Sequence, residues 1–350
     1  AGVPRVEVPM RALLRSVAWD APLESHVLLL YTLLQCNPEV LTLVAHAPDV
    51  ATEVLLPVLR GLYDPRQARG VRHLYTLVIV LLMCTQDDEA GSGPLLRARV
   101  PRVEWYDERI LRDVPMGSLA LLCALRTLTY TLTGPRDGYL LANTFAVIMN
   151  LGNRLHDMHP YAAQRLVDVL VKLARRVGAF YGGEGGAPGG AGTGEHEALH
   201  CVEALQALCL LVRHALQPDR ALGNAHVAYS LVQQQRRVSQ SLAQHVVSQR
   251  VKDAGRVVEL THGLYKSLRE LDDEPPTAEG MMEELRGELR RRAAEGAGGE
   301  GAVDAVTFTY EEGGDPEQFF VPYCWDVVVS ASPDVAWYPG RATLLHDGGS

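Results

Sequence analysis

Apolar residues return at three- and four-residue steps through most of this 350-residue chain, the period of an α-helix with one buried stripe. Residues 161–177 show it most cleanly. Gln164, Arg165, Asp168, Lys172, Arg175 and Arg176 mark one side, and Leu166, Val167, Leu170, Leu173 and Ala174 the other. The same reading predicts helices over 23–35, 50–63, 71–85, 116–133, 137–155, 197–216, 225–234, 238–271 and 281–294. Those at 23–35 and 71–85 are apolar nearly all round, which implies burial on most faces. Asp20 and Pro22 mark the entry to the first. Asn37-Pro38 ends it and opens the next with proline in the first helical position. Asp49 is expected to cap 50–63, which Pro57 interrupts. The charged helix 281–294 keeps a narrow stripe (Met282, Leu285, Leu289) and sets Glu288 one turn before Arg292, an ion-pair spacing.

Two glycine-rich breaks set the organisation. A helical stack over 1–181 is followed by a flexible linker at 182–194, with eight glycines in thirteen residues and few side chains to pack. The stack continues over 195–295, a second break covers 296–302, and a C-terminal segment with one helix covers 303–350. Only 303–310 reads as a strand, too isolated to build a sheet. The expected fold class is all-α, an α-solenoid-like stack of antiparallel helices of HEAT or armadillo type. Leu30-Tyr31-Thr32-Leu33 returns as Leu74-Tyr75-Thr76-Leu77, an offset of 74 − 30 = 44, inside the window of such repeats. Tyr130-Thr131-Leu132 echoes it at another offset, so the period is not strict.

Composition narrows the function. A net charge of −9 has the wrong sign for a protein that lives on phosphate backbones, so no nucleic-acid partner is expected. Cys36, Cys84, Cys123, Cys201, Cys209 and Cys324 lie far apart among apolar neighbours, with no C-x-x-C. They are expected to be buried free thiols in a reducing compartment. The longest apolar run covers 74–84, against about 20 residues for a span, so no transmembrane segment is expected. A start without Met, in mid-composition, is expected of a fragment.

One motif has an enzyme's form. His196-Glu197-Ala198-Leu199-His200 is an H-E-x-x-H, in which two histidines one turn apart can share a zinc while the glutamate polarises a water. Its context argues for chance. It opens a helix directly after the glycine linker, and a third ligand would have to come from Glu203 or His214 with no recognised spacing. No metal, cofactor or catalytic residue is therefore assigned, and a zinc-dependent hydrolase stays as the alternative. His156-Asp157-Met158-His159, followed by Pro160, reads as a helix-to-helix corner, and His73 as a core or capping histidine. Arg175-Arg176, Arg236-Arg237 and Arg290-Arg291-Arg292 are expected on solvated helix faces, with acidic lipid or an acidic partner as the sharper reading. Near the end, Phe319, Phe320, Tyr323 and Trp325 concentrate aromatic surface in a chain with 5 Phe and 4 Trp. A helix starting at Pro322 is expected there. The segment is either a latch on the preceding helices, the favoured reading, or a candidate interaction segment.

Several blocks, in order over roughly 23–346, resemble the dymeclin family. They are Leu28 to Leu34; His73 and Tyr75 leading to Gln86 and Asp88; and Trp105-Tyr106 with Glu108-Arg109. Further along come Gly117-Ser118-Leu119 with Arg126-Thr127; Arg136 to Leu140 with Asn143; His159 to Leu166; and Pro316 to Tyr323 with Trp325. Gln86 departs from the family's usual acidic residue, and the H-E-x-x-H matches no family motif. The resemblance is to the family's C-terminal half, so an N-terminal half with any lipid anchor is expected to be missing. It implies a non-enzymatic cytosolic scaffold, peripherally associated with the Golgi membrane, whose partners are proteins of the Golgi and vesicle-trafficking machinery. A solenoid adaptor outside the secretory pathway, in nuclear transport or signalling, is the remaining alternative.

Overall fold

A computed structural model describes residues 8–19, 23–64, 70–86, 92–134, 137–182, 193–269, 277–294, 307–312, 316–332 and 334. Among these the protein is all-helical apart from one two-stranded sheet. The order is α1 (Met10–Trp19), α2 (Glu24–Cys36), α3 (Pro38–His46), α4 (Pro48–Tyr63), α5 (Val71–Thr85) and α6 (Ser92–Arg97). A hairpin follows, β1 (Arg99–Val103) and β2 (Leu111–Pro115). Then come α7 (Met116–Thr133), α8 (Gly138–Gly152), α9 (Pro160–Tyr181), α10 (Thr193–Ala215), α11 (Ala225–Gln233) and α12 (Gln235–Leu242). The last are α13 (His245–Arg250), α14 (Ala254–Arg269), α15 (Ala278–Ala294) and α16 (Pro316–Ala331). The chain forms two units, Ala1–Tyr310 and Glu311–Ser350, and α16 belongs to the second.

The first unit is built on the helices that read as apolar all round. From Thr76 to Thr85 every residue of α5 is buried, and so are Met116 to Leu125 of α7. These pack with α4 and α8; α8 in turn meets α10, which lies against α9, and α9 carries α11 and α12. Gly117, near the start of α7, sits where the backbone of α6 comes close: a methyl there would lie 3.3 Å from the Leu96 carbonyl oxygen and from Leu155. Helix ends follow their local chemistry. Pro38 starts α3 and the chain bends by 103° between α2 and α3. Asp137 caps α8, accepting from the Leu140 amide at 2.9 Å.

Several expectations need correction. α4 begins at Pro48, so Asp49 lies in its first turn, paired with Arg11 at 3.2 Å, and Pro57 sits inside a continuous helix. The predicted helix 238–271 is three helices, α12, α13 and α14. α1, α6 and the hairpin were not anticipated. Thr307 to Tyr310 form no strand; side chains of α8 and the end of α5 hold them instead. Four cysteines are buried as expected, but Cys36 and Cys324 are exposed. Burial pushes the Cys84 thiol up to about 12 and that of Cys201 to about 11, which keeps both neutral and unreactive. α10 is long and apolar enough to cross a membrane, a point the run-length reading missed, and most of that stretch is buried within the fold. The glycine segment 183–192 and residues 295–306 lie outside the described residues.

Candidate functional site

The H-E-x-x-H lies on the first turns of α10, and the glutamate already has a partner. The Glu197 carboxylate is ion-paired with Arg176 of α9, which also donates to the Leu132 carbonyl at 3.1 Å. His196 is exposed and His200 half-buried. Among the described residues no three His, Cys, Asp or Glu side chains gather as a metal would require. The corner 156–159 is structural: Asp157 adopts φ 58° and pairs with Arg99. A ring nitrogen of His159 caps α9, accepting from the Tyr161 amide at 3.2 Å.

The arginine clusters separate by role. Arg176 pairs with Glu197; Arg237 meets Asp168 at 3.1 Å; and Arg291 and Arg292 both donate to Glu288, at 2.6 Å in each closest contact. Arg176 and Arg237 thus join neighbouring helices, whereas Arg291 and Arg292 pair with a residue of their own helix, α15, and Arg291 stays exposed. Arg290 instead lines a large concavity.

That groove has a volume of about 910 Å³ and four walls. The hairpin arm gives Arg109, Ile110 and Arg112. The start of α9 gives His159, Pro160, Tyr161 and Gln164. From α11 come His226, Tyr229, Ser230 and Gln233, with Gln234 just after it, and from α15 Glu279, Met282, Glu283, Arg286 and Arg290. The α15 residues recur at three- and four-residue steps, so they form one stripe.

An aromatic cluster seats the hairpin arm. Tyr63 of α4 packs on Tyr106 and Trp105 (ring centroids 4.8 and 5.5 Å), and its hydroxyl accepts from the Asp107 amide at 3.0 Å. Tyr106 meets Tyr161 edge-on at 6.0 Å. Glu108 ties the arm to two helices: it pairs with Arg126 of α7, lies 3.7 Å from Arg165 of α9, and accepts from the Tyr161 hydroxyl at 2.8 Å. Arg126 also stacks over the Tyr63 ring at 4.3 Å. The blocks 105–109, 117–127 and 159–166, which carry the family resemblance, thus meet around Glu108, and the first and last of them line one side of the groove.

Its electrostatics are lopsided. Arg109 lies over the Tyr161 ring at 5.5 Å. Neither it nor Arg112, Arg286 or Arg290 has a carboxylate within ion-pair reach among the described residues. Burial lowers the His159 imidazole below its ordinary value, and the positive fields of His226, Arg109 and Arg99 add to this against Asp113. Burial likewise lowers His226, helped by Arg286 and opposed by Asp157. Arg109 thus lies near His159 and Arg286 near His226, which makes this end of the groove cationic.

A family model described as "Dymeclin: Dyggve-Melchior-Clausen syndrome protein" matches residues 5–327. The chain belongs to the dymeclin family. It is 26% identical over 340 residues to the dymeclin of Gallus gallus, covering 91% of this chain and 47% of that protein. To the dymeclin of Xenopus laevis it is 25% identical over 356 residues, covering 97% of this chain and 50% of the relative. The Drosophila melanogaster dymeclin is 24% identical over 335 residues, with 93% and 47% covered. The chain therefore spans about half the length of the dymeclins it matches. No solved structure matches it.

The aromatic segment lies on α16, in the second unit. That helix begins at Pro316, not at Pro322, which lies inside it. Phe319 packs edge-on against Phe320 at 5.0 Å and meets Tyr323 at 6.0 Å. Tyr323 is buried, whereas Phe319, Phe320 and Trp325 are partly exposed.

Proposed function

We propose that this dymeclin-family chain is a non-enzymatic interaction scaffold of the secretory pathway, supporting Golgi organisation and vesicle traffic. The carrying observation is the family match over residues 5–327, together with two family-like blocks, 105–109 and 159–166, that line a groove with arginine, glutamine and tyrosine side chains. Such side chains suit recognition of a partner. In the first unit most helix contacts run between elements one to four places apart in order. That locality favours the solenoid-like stacking proposed for it. Peripheral association with the Golgi membrane, and partners among trafficking proteins, belong to the same reading. The candidate interaction segment Phe319, Phe320, Tyr323 and Trp325 is retained as a second contact surface.

Proximity labelling with a tagged full-length protein tests this. Enrichment of Golgi and vesicle-coat neighbours is expected, whereas nuclear or signalling neighbours would shift the assignment to an adaptor outside the secretory pathway. Metal analysis of gently purified protein tests the non-enzymatic part: one tightly held zinc per chain would revive the hydrolase reading.

A further inference from the structure

We propose that the cationic end of the groove between the hairpin arm, α9, α11 and α15 binds an acidic segment of a partner protein. Four arginines from two separate walls face this recess without a carboxylate partner among the described residues. Placing several cations together is costly through mutual repulsion, and an arriving carboxylate relieves it while forming charge-assisted hydrogen bonds. Burial holds the His159 and His226 imidazoles below their ordinary value, and Arg109 beside His159 and Arg286 beside His226 add to it.

The shape favours a peptide over a membrane surface. The arginines line a concavity of about 910 Å³, which a flat bilayer surface cannot enter and a peptide segment can. Gln164, Gln233 and Tyr229 add neutral groups able to pair with a peptide backbone. Glu279 and Glu283 precede Arg286 and Arg290 on the same α15 stripe. The groove is thus polar along its length, and it prefers a ligand acidic at one end to a uniform polyanion. The assignment rests on the scaffold reading only in taking the ligand to be part of another protein.

The test is fluorescence anisotropy with the full chain and a fluorescein-labelled peptide of alternating Glu and Ala, with its Lys/Ala counterpart as control. The Glu peptide is expected to bind, more weakly as salt rises. Arg286→Glu with Arg290→Glu should weaken it by about tenfold or more, since both remove attraction and add repulsion. Arg236→Glu, on an exposed position of α12 outside the groove, should bind like the parent. All three side chains are exposed, and unchanged thermal melts show that the variants fold. Phosphatidylserine vesicles form a second arm. Absence of Glu-peptide binding, equal binding by the charge-reversed groove, or vesicle binding with this arginine dependence in place of peptide binding would each overturn the proposal. None of these outcomes depends on where the protein resides, so the labelling experiment and this one can fail separately.

Discussion

Asn224 is fully buried, and its side chain joins three stretches of backbone. It donates to the carbonyls of Leu155 and Ala215 at 3.0 and 3.2 Å and accepts from the Met158 amide at 3.3 Å. The corner carrying His159, and with it one wall of the groove, depends on this amide. Asn224→Leu keeps the branched outline, with bulkier ends, but orphans those buried groups, so it should cost about 2–4 kcal/mol in urea denaturation; a cost near zero would show that water replaces the amide. Glu288, with a side chain 6% exposed, accepts from Arg291 and Arg292. Burial alone would raise its carboxyl, but hydrogen bonds from Arg292, Arg291 and Ser267 outweigh that and leave it below the ordinary value. A carboxyl lower in the folded than in the unfolded state stabilises above the unfolded value, about 4.3, and loses that contribution as pH falls through the folded value. Because both arginines are partly exposed, Glu288→Gln should cost about 1–2 kcal/mol at neutral pH. The gap to the parent should close on acidification below about pH 4. A gap independent of pH would mean that the variant acts through packing.

Among the elements, those that pack by one repeating stripe were legible in sequence, and those shaped by distant contacts were not. The period of 3.6 gave α5, α7 and α9 to within a few residues. The hairpin escaped because its inward residues do not alternate: Val100 and Val103 are both buried, as are Leu111 and Val114. In the observed register Pro101, which has no N–H to donate, falls opposite Asp113, whose φ is 50°, and the pleat changes parity there. No glycine or proline marks the breaks between α12, α13 and α14. Asp253, just before α14, is instead claimed by Arg213 and Gln206 of α10, so tertiary contacts override helix propensity. The groove was hidden for a related reason, since its walls run from Arg109 to Arg290 and meet only in the folded chain. Of the four aromatic residues on α16, burial falls on Tyr323, 2% exposed, while Trp325 is only partly covered. Tyr323→Ala should therefore cost about 3 kcal/mol or more, and Trp325→Ala clearly less. Thermal melts of the two variants decide it, and the reverse order would make Trp325 the anchor.

At the scale of the first unit, the described segment Thr307 to Tyr310 has no regular structure of its own and is held by side chains of distant elements. Asn150, fully buried on α8, donates to the Phe308 carbonyl and accepts from the Phe308 amide, both at 2.8 Å. Gln86, at the end of α5, accepts from the Tyr310 amide at 2.9 Å, and the Tyr310 ring meets Tyr31 of α2 edge-on at 6.2 Å. Gln86 thus contributes an acceptor that a carboxylate could also supply. Side-chain amides here do what a neighbouring strand would do in a sheet, and an apolar pattern alone cannot reveal them. Asn150→Ala leaves a backbone donor and acceptor without their partner and should cost about 2–3 kcal/mol. Gln86→Ala removes one acceptor and should cost about 1 kcal/mol. If the two amides hold one segment, releasing it at one point weakens the other. The double variant should then cost less than the sum of the singles by about 0.5 kcal/mol or more. Strict additivity in denaturant unfolding would show two independent contacts and no common clamp.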